Sequence, residues 1–435
     1  MSGGATLASV AGVRPGVGRE TIGFSSRVVA VVLNWNAWAD TIACVESLLA
    51  STHVPHQIVI CDNGSRDDSI ARLKQWGENR DGFVSFRNPE EALEGVHLAA
   101  PLVLIALPEN GGYAHGNNIG IRYAIDRSNA EFVWILNNDT VAHGEALEKM
   151  LEVAESDRTI GIVGSKLLRF DQPDTIQAMG GGHIIPVLCH DTQLHSGQKE
   201  ASVGTVPIAL DHIVGASLLV RAEAVCAVGL IDESYFLYRE ETDWCIRMRR
   251  AGWKLYCCPK ATVWHKQSHS IGFKSPLHDY YAVRNMLRLV WKFYPAAAPT
   301  AFGYFALRSM LPKLVRFEIA RLVAVIHAFS DFFSGISGRS AHHTDQMLVT
   351  SYVAGTVTRT TWQPSPRAAG VVFALLVIGA VLWSGTSFIS RSPQQTHRPI
   401  AAHRAAHPSR HVRDQALSRV NSDSSAHWVS LVDNR

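Results

Sequence analysis

The apolar residues of this chain fall into short runs that end in polar segments rich in asparagine and aspartate. The clearest run, residues 132–136, is followed at once by Asn-Asn-Asp-Thr at residues 137–140. A short apolar run with polar boundaries is typical of a strand that is buried on both faces of a parallel sheet. Residues 27–33 and 57–61 show the same pattern. We therefore predict buried strands at these three places.

Between the apolar runs, hydrophobic residues recur every three or four positions, which predicts helices. Residues 39–50, for example, place Ile42, Val45 and Leu48 on one face. Strand alternating with helix indicates an α/β fold with βαβ units. Ligands of such folds bind just beyond the carboxyl ends of the strands. The polar residues that follow each strand are therefore the first candidates for a functional site.

A glycine- and asparagine-rich loop, residues 109–118, lies between a predicted strand and a predicted helix. Glycines let the backbone approach a ligand closely, and amides at a helix start can face a phosphate. The loop is neither a Walker loop nor a GxGxxG motif, so the generic phosphate motifs are absent from the sequence. Residues 168–199, also rich in Gly and His, are either an acceptor-side loop or an irregular linker.

Carboxylates occur at two informative places. Asp139 follows the clearest strand, where it can hold a divalent cation; the alternative is an Asx turn. Glu240, Glu241 and Asp243 open a later helix. Their neighbouring charges can raise a pKa and suit a general base, although stabilisation of the helix dipole is an alternative. His265 ends a further strand and is a candidate metal or phosphate ligand beside this acidic site.

Composition narrows the function classes. The formal net charge of +3 over 435 residues gives no reason to expect a nucleic acid as partner. The seven cysteines are scattered and lack the spacing of a zinc site. Residues 1–26 are rich in Gly, Ala and Ser without a continuous apolar stretch, which predicts a flexible leader and not a signal peptide.

The C-terminal third differs in character. Residues 276–340 predict basic, aromatic, amphipathic helices that associate with a membrane surface, or alternatively helices packed on the catalytic domain. Residues 341–367 are a predicted linker. Residues 368–389 carry no charge and are long enough for one transmembrane helix, with a buried helix or a hairpin dip as alternatives. Residues 390–435 have the composition of a disordered basic tail.

Several motifs together resemble glycosyltransferase family 2, in its rhamnosyltransferase-like branch. They are NWN at residues 34–36, DNGS at 62–65, ENGGYAHGNN at 109–118, NNDT at 137–140 and YREETDWCIRMRRAGW at 238–253, with the context of His265. The resemblance covers about residues 28–338. It implies a GT-A catalytic domain over residues 27–275, with a Rossmann-like mixed sheet flanked by helices.

The resemblance also implies an inverting transfer that depends on Mg²⁺ or Mn²⁺. It assigns metal contacts to Asp139 and His265, and the base to Glu241, with Asp243 and Glu240 as rivals. Asn137 replaces the first Asp of the family's DxD position. Contacts with the nucleotide-sugar donor are implied for Asn36, Asp62, Asn63, Gly112, Tyr113, Asn117, Asn137 and Asn138.

The implied donor is a nucleotide sugar, with dTDP-rhamnose as one candidate. The implied acceptor is a cell-surface polysaccharide or a polyprenyl-linked glycan. Because nucleotide sugars are cytosolic, we expect the enzyme at the cytoplasmic face of the cell membrane, with a single pass through it. The basic tail opposes the positive-inside tendency in this topology. The competing hypothesis is a non-catalytic, membrane-associated protein that binds nucleotide sugars.

Overall fold

A computed structural model describes residues 27–95, 100–267 and 275–340 of the chain. The strands are β1 Val28–Asn34, β2 Gln57–Asp62, β3 Phe83–Phe86, β4 Leu102–Ala106, β5 Phe132–Asn137, β6 Thr140–Ala142, β7 Ile160–Arg169, β8 Ile176–Met179, β9 Gly181–Gly182, β10 Ile184–Ile185, β11 His190–Asp191, β12 Ile208–Ala209, β13 His212–Ile213, β14 Ser217–Arg221 and β15 Lys254–His265.

The α-helices follow the strands in alternation over the first half of the chain and then form a helical group. They are α1 Trp38–Leu49, α2 Ser69–Glu78, α3 Pro89–Glu94, α4 Tyr113–Arg122, α5 Ala146–Ser156, α6 Ala222–Val228, α7 Glu240–Arg250, α8 Pro276–Phe293, α9 Ala298–Val315 and α10 Ile319–Phe333. A π-helical turn at Tyr123–Arg127 extends α4.

In the described part of the chain, one sheet of 11 strands dominates, with the order β12-β15-β7-β14-β5-β1-β2-β4-β3. Strand β6 pairs with β15, and β8 pairs with β7. β1 is parallel to β2 and β5, whereas β14 runs antiparallel to β5 and β7. The sheet is therefore mixed, with helices on its faces, and the predicted α/β class is confirmed.

The central strand β5 shows why the sheet is stable. Val133 and Ile135 lie in one buried core, while Phe132, Trp134 and Leu136 lie in the core on the other face. Burial of both faces explains the unbroken apolar run, because neither set of alternating side chains meets water. The strand predicted here is confirmed.

The strand register gathers polar residues at one edge of the sheet. Asn34 pairs with Asp62 across β1 and β2, and Asn137 pairs with the residue before Asn34. Antiparallel pairing of β6 with β15 then sets His265 opposite Thr140. The carboxyl ends of these strands therefore converge, as expected for a ligand-binding edge of an α/β sheet.

Helices α8–α10 enclose a third apolar core. In α8 the side chains of Tyr280, Tyr281, Arg284 and Asn285 are buried. Residues that the sequence suggested for a membrane surface therefore pack inside the protein in this helix. No helix within residues 27–95, 100–267 and 275–340 is both long and apolar enough to cross a membrane. The predicted leader, linker, transmembrane helix and basic tail lie outside the described residues.

Candidate active site

The carboxyl ends of β1 and β2 are tied together by a buried polar network. Asp62, which is fully buried, accepts hydrogen bonds from Asn34 Nδ2 (2.6 Å) and from the backbone and hydroxyl groups of Ser65 (3.0 and 2.6 Å). Burial raises the pKa of Asp62, while the Ser65 hydrogen bonds oppose that rise. The amide of Asn36 donates to Ser65 Oγ at 2.8 Å. The structure thus brings the predicted donor contacts Asn36 and Asp62 to the hydroxyl of one serine.

The glycine-rich loop is anchored to this network by Asn63. Its Oδ1 accepts from the Gly111 amide (3.2 Å), and its Nδ2 donates to the Gly112 carbonyl (3.1 Å). Gly112 has a φ of +92°, and a Cβ there would lie 2.3 Å from the carbonyl oxygen of Phe236. Only glycine fits such a conformation and contact. The loop therefore presses directly against the segment that leads into α7.

Tyr113 and Asn117 begin helix α4 below this loop. The Tyr113 hydroxyl donates to the carbonyl of Gly215 at 2.6 Å, and burial raises the pKa of Tyr113 well above its usual value. Asn117 Nδ2 donates to the Tyr113 carbonyl at 2.9 Å. Asn117 is fully buried, and its Oδ1 has no hydrogen-bond partner among the described residues. Asn117 thus supports Tyr113 from inside the fold.

Asp139 and His265 form a pair of possible metal ligands at the end of the sheet. Asp139 Oδ1 lies 3.1 Å from His265 Nε2, and His265 Nδ1 lies 3.0 Å from Gln177 Oε1. When Gln177 accepts from Nδ1, the Nε2 lone pair faces the carboxylate, as second-shell partners of metal-binding histidines arrange it. A carboxylate and an imidazole fit a divalent cation such as Mn²⁺.

This pair fills only part of a coordination sphere. Among the described residues, no group of three or more His, Cys, Asp or Glu side chains is arranged to hold a metal. An ion held by Asp139 and His265 would complete its sphere with phosphate oxygens and water, which is the usual pattern at nucleotide sites.

The two asparagines before Asp139 contact neighbouring elements. Asn138 Nδ2 donates to Thr41 Oγ1 at 3.0 Å and is turned towards α1. The Asn137 amide donates to the Ala216 carbonyl at 3.0 Å.

The three carboxylates at the start of α7 have different surroundings. Burial is the main cause that raises the pKa of Glu240 well above its ordinary value, and the charge of Glu241 is the next. The buried Glu240 Oε2 has no hydrogen-bond partner within the part of the chain that the structure describes. Burial also raises the pKa of Glu241, while Arg239 opposes the rise. Asp243, which is fully buried, accepts from Arg247 Nε (2.7 Å) and Lys292 Nζ (2.6 Å), and both of these cations are partly exposed. Asp243 is therefore already neutralised by two cations.

Gly215 is the meeting point of the candidate groups. A Cβ at Gly215 would lie 2.9 Å from the Tyr113 hydroxyl and 3.6 Å from Cγ of Glu241. The next residue, Ala216, accepts the hydrogen bond from the Asn137 amide. Glu241, Tyr113 and the end of β5 therefore surround one short stretch of backbone.

Two features of the site were not predicted from the sequence. Arg239 Nη1 lies 2.8 Å from Asp191 Oδ1, and although burial opposes it, Arg239 lowers the pKa of Asp191 to about 2. Gln177 orients His265. Asp191 and Gln177 both lie in the Gly- and His-rich segment, where weak periodicity offers no signal for a particular contact. Only the three-dimensional contact identifies them.

Comparison with known proteins finds relatives that are named as sugar transferases. The chain is 27% identical over 265 residues to the low-salt glycan biosynthesis hexosyltransferase Agl10 of Haloferax volcanii, covering 59% of this chain and 72% of that protein. It is 26% identical over 228 residues to the dTDP-rhamnosyl transferase RfbF of Shigella flexneri, covering 49% of this chain and 69% of that protein.

Among solved structures, that of GalNAc-T7 with UDP, GalNAc and Mn²⁺ matches with a TM-score of 0.47 and 15% identity. The match covers 65% of this chain and 50% of that chain. The family model described as "Glycosyltransferase like family 2" matches residues 26–288, more than half of the 435 residues. The chain therefore belongs to glycosyltransferase family 2.

Proposed function

We propose that the protein is an inverting, metal-dependent glycosyltransferase of the GT-A type. It transfers one sugar from a nucleotide sugar to a glycan or lipid-linked acceptor. One observation carries this proposal: Glu241 lies beside Gly215, the end of β5 is hydrogen-bonded to the next residue, Ala216, and the Asp139–His265 pair directly follows that strand end. Such a site has one base and one metal position, which is what an inverting transfer requires.

Glu241 is the proposed general base. It is less buried than Glu240, which is 3% exposed, and unlike Asp243 it has no lysine among the described residues hydrogen-bonded to its carboxylate. Its raised pKa makes the carboxylate a stronger proton acceptor for an acceptor hydroxyl. The acceptor oxygen bonds to the anomeric carbon and passes its proton to Glu241, while the nucleoside diphosphate leaves from the opposite face of the sugar.

Asp139 and His265 would hold the divalent cation, and the Asn137 side chain at the end of β5 lies two residues away. A cation bound there supplies charge neutralisation for the departing diphosphate. The side of the site around Asn36 and Asp62 would bind the nucleoside, because acceptor groups at this strand end suit base and ribose donors.

The relatives guide the choice of sugar. A glycan hexosyltransferase and a dTDP-rhamnosyl transferase match 59% and 49% of this chain. We therefore propose dTDP-rhamnose as the first donor to examine, with other hexose donors next. The acceptor class follows the same reasoning, namely a surface polysaccharide or a polyprenyl-linked glycan.

The turn between α9 and α10 supports the proposal of a membrane surface, and the cytoplasmic face is proposed because nucleotide sugars are cytosolic. Its apolar side chains are exposed, Phe317 by 81% and Val315 by 67%, and Arg316 lies between them. The exposed apolar members of this tip are Leu311, Leu314, Val315, Phe317 and Ile319. An apolar tip with a basic residue suits the boundary between lipid headgroups and acyl chains. It would bring the site close to a lipid-linked acceptor.

Donor hydrolysis and transfer measured over a panel of nucleotide sugars, with and without Mn²⁺, test the proposal. We expect turnover of one donor class that requires the metal and stops in Glu241→Gln. Tight binding of a nucleotide sugar without turnover, across the panel and with glycan acceptors present, would instead support a non-catalytic binding protein.

A further inference from the structure

The segment that precedes α7 and contacts the glycine-rich loop has an unusual backbone. Within residues 235–239, called here the turn segment, Phe236, Tyr238 and Arg239 have φ angles of 67°, 66° and 78°. Phe236 has a ψ of −59°, and the Leu237 amide donates to the carbonyl two residues earlier at 2.9 Å. This is a γ-turn of the strained type. Residues with side chains keep such a backbone only where their surroundings enforce it.

Asn285 on α8 contacts the turn segment and holds its backbone. Its Nδ2 lies within hydrogen-bond distance of three carbonyl oxygens of the turn segment, those of Tyr235 (2.9 Å), Leu237 (2.6 Å) and Tyr238 (3.0 Å). Arg284 Nε donates to Asn285 Oδ1 at 3.1 Å. Because Oδ1 accepts from this donor, the amide can present only its NH₂ group to the carbonyls.

Arg284 reinforces the same contact from inside the core. Its Nη2 donates to the Tyr235 carbonyl (3.1 Å) and to the Gly338 carbonyl (2.8 Å). The guanidinium lies 5.2 and 5.0 Å from the ring centres of Tyr280 and Tyr281. Arg284 and Asn285 are 1% and 0% exposed, so water does not compete for these hydrogen bonds.

The other side of the turn segment touches both halves of the proposed site. The Phe236 carbonyl accepts from the Tyr113 amide at 2.9 Å and lies against Gly112. At its far end, Arg239 directly precedes the helix that carries Glu241. The conformation of the turn segment therefore fixes the position of the glycine-rich loop relative to Glu241, the proposed base.

We propose that Asn285, oriented by Arg284, is a positioning residue for sugar transfer. It holds the turn segment in its strained conformation, and that conformation determines where Glu241 lies relative to the glycine-rich loop. The inference depends on the proposed role of Glu241. It also gives a function to two polar residues of α8 that lie outside the predicted catalytic domain.

The test is Asn285→Ala in the full chain, read by two independent measurements. Hydrogen exchange without any sugar should show faster exchange of the Leu237 and Asp243 amides, which bond within and next to the segment. Transfer should lose about 10- to 100-fold in kcat, with a smaller change in donor KM, because small misplacements of a catalytic group carry penalties of this size. Asn285→Ser keeps one donor and should give a smaller loss of the same kind.

Met310→Ala is the matched control, because it removes a buried side chain from the same apolar core but lies on α9. It should lower the melting temperature without the loss of kcat. Unchanged exchange of the turn segment in Asn285→Ala, or faster exchange with unchanged kcat, would overturn the inference. A wild-type enzyme that turns over no donor contradicts the proposed function instead, and exchange alone then decides whether Asn285 holds the segment.

Discussion

The imidazole Nε2 of His265 lies 3.1 Å from the Oδ1 atom of Asp139, although 126 positions separate the two residues in the chain. Backbone pairing produces this contact, because β6 directly follows Asp139 and pairs with the end of β15. The Lys266 amide also donates to the Asp139 carbonyl at 2.9 Å. The pairing of these strands therefore brings the two side chains to the same place.

Asp139→Ala should abolish metal-dependent transfer. Removing this carboxylate takes away one of the two protein groups proposed to hold the cation, and several kcal/mol of charge stabilisation with it, so we expect a loss of at least about 100-fold in kcat. Mn²⁺ binding in the presence of nucleoside diphosphate, followed by electron paramagnetic resonance, should weaken in parallel. Asp157→Ala, which removes an exposed carboxylate paired with Lys254, is the control. Retained Mn²⁺ binding in Asp139→Ala would place the metal elsewhere.

Glu241→Gln should stop transfer and leave donor affinity nearly unchanged, because the proposed base acts on the acceptor hydroxyl. General-base catalysis contributes about 100- to 10,000-fold, so a loss in that range is expected. Calorimetry with the nucleoside diphosphate measures the affinity, and steady-state kinetics the rate. Full activity in this variant would move the role to Glu240 or Asp243.

Glu240 should make the protein less stable as the pH rises. Its pKa is raised in the folded state, so the folded protein keeps a proton that the unfolded chain releases near the ordinary glutamate value of 4.5. The stabilisation of the folded state that comes from this raised pKa is fully present below pH 4.5, and it is lost as the pH rises through the folded-state pKa of Glu240. Melting temperatures from pH 4.5 to 8 should therefore fall less in Glu240→Gln than in the wild type. Parallel curves would show that Glu240 titrates normally.

Asp243→Asn should mainly lower stability. The substitution leaves Arg247 without the carboxylate that it contacts at 2.7 Å, while Lys292 keeps Asp232 at 2.9 Å. Breaking a fully buried ion pair from one side costs about 3 kcal/mol in the free energy of unfolding, and we expect a smaller cost here because the Arg247 side chain is 22% exposed. Urea unfolding measures that cost. A variant with wild-type stability and no transfer would instead identify Asp243 as the base.

The exposed tip between α9 and α10 should enter lipid. With Phe317 replaced by a photoreactive phenylalanine, illumination of the full chain on vesicles of phosphatidylethanolamine and phosphatidylglycerol should give lipid adducts, because the side chain gains free energy by leaving water. The same substitution at Val206, which is 75% exposed, is the control. Equal adduct yields at both positions would argue against insertion of the tip.

Much of the sheet could be predicted because its signal is local. Strand β5 was expected at residues 132–136 and extends one residue further, to Asn137. Burial on both faces leaves an apolar run that needs no partner to be recognised. Helix α3 shows the limit of such local patterns, because its acidic stretch has little apolar periodicity, although Asn88 caps it by accepting from the Glu91 amide at 2.8 Å and Pro89 occupies its first turn. The acidic composition of that stretch hid a regular capping signal.

The supports of the site could not be predicted, because they depend on contacts between distant parts of the chain. In the sequence, Arg284 and Asn285 are two polar residues of an amphipathic helix. Their carbonyl partners in the turn segment lie 47 to 50 positions away, and periodicity cannot show which polar side chains turn inwards. The order of motifs predicts that Asp139, Glu241 and His265 lie near one edge of the sheet. It does not predict the strained backbone of the turn segment, which lies between the glycine-rich loop and Glu241.

The path of the chain after α10 sets the smallest piece of this protein that can be exchanged between relatives. The Gly338 amide donates to the Ser234 carbonyl at 2.6 Å, just before the turn segment, and the Ser340 amide donates to the Tyr281 hydroxyl at 3.0 Å. A chimaera joined at residue 275 would separate the base from the helix that braces it. Grafts that alter sugar preference should therefore move residues 27–340 as one block.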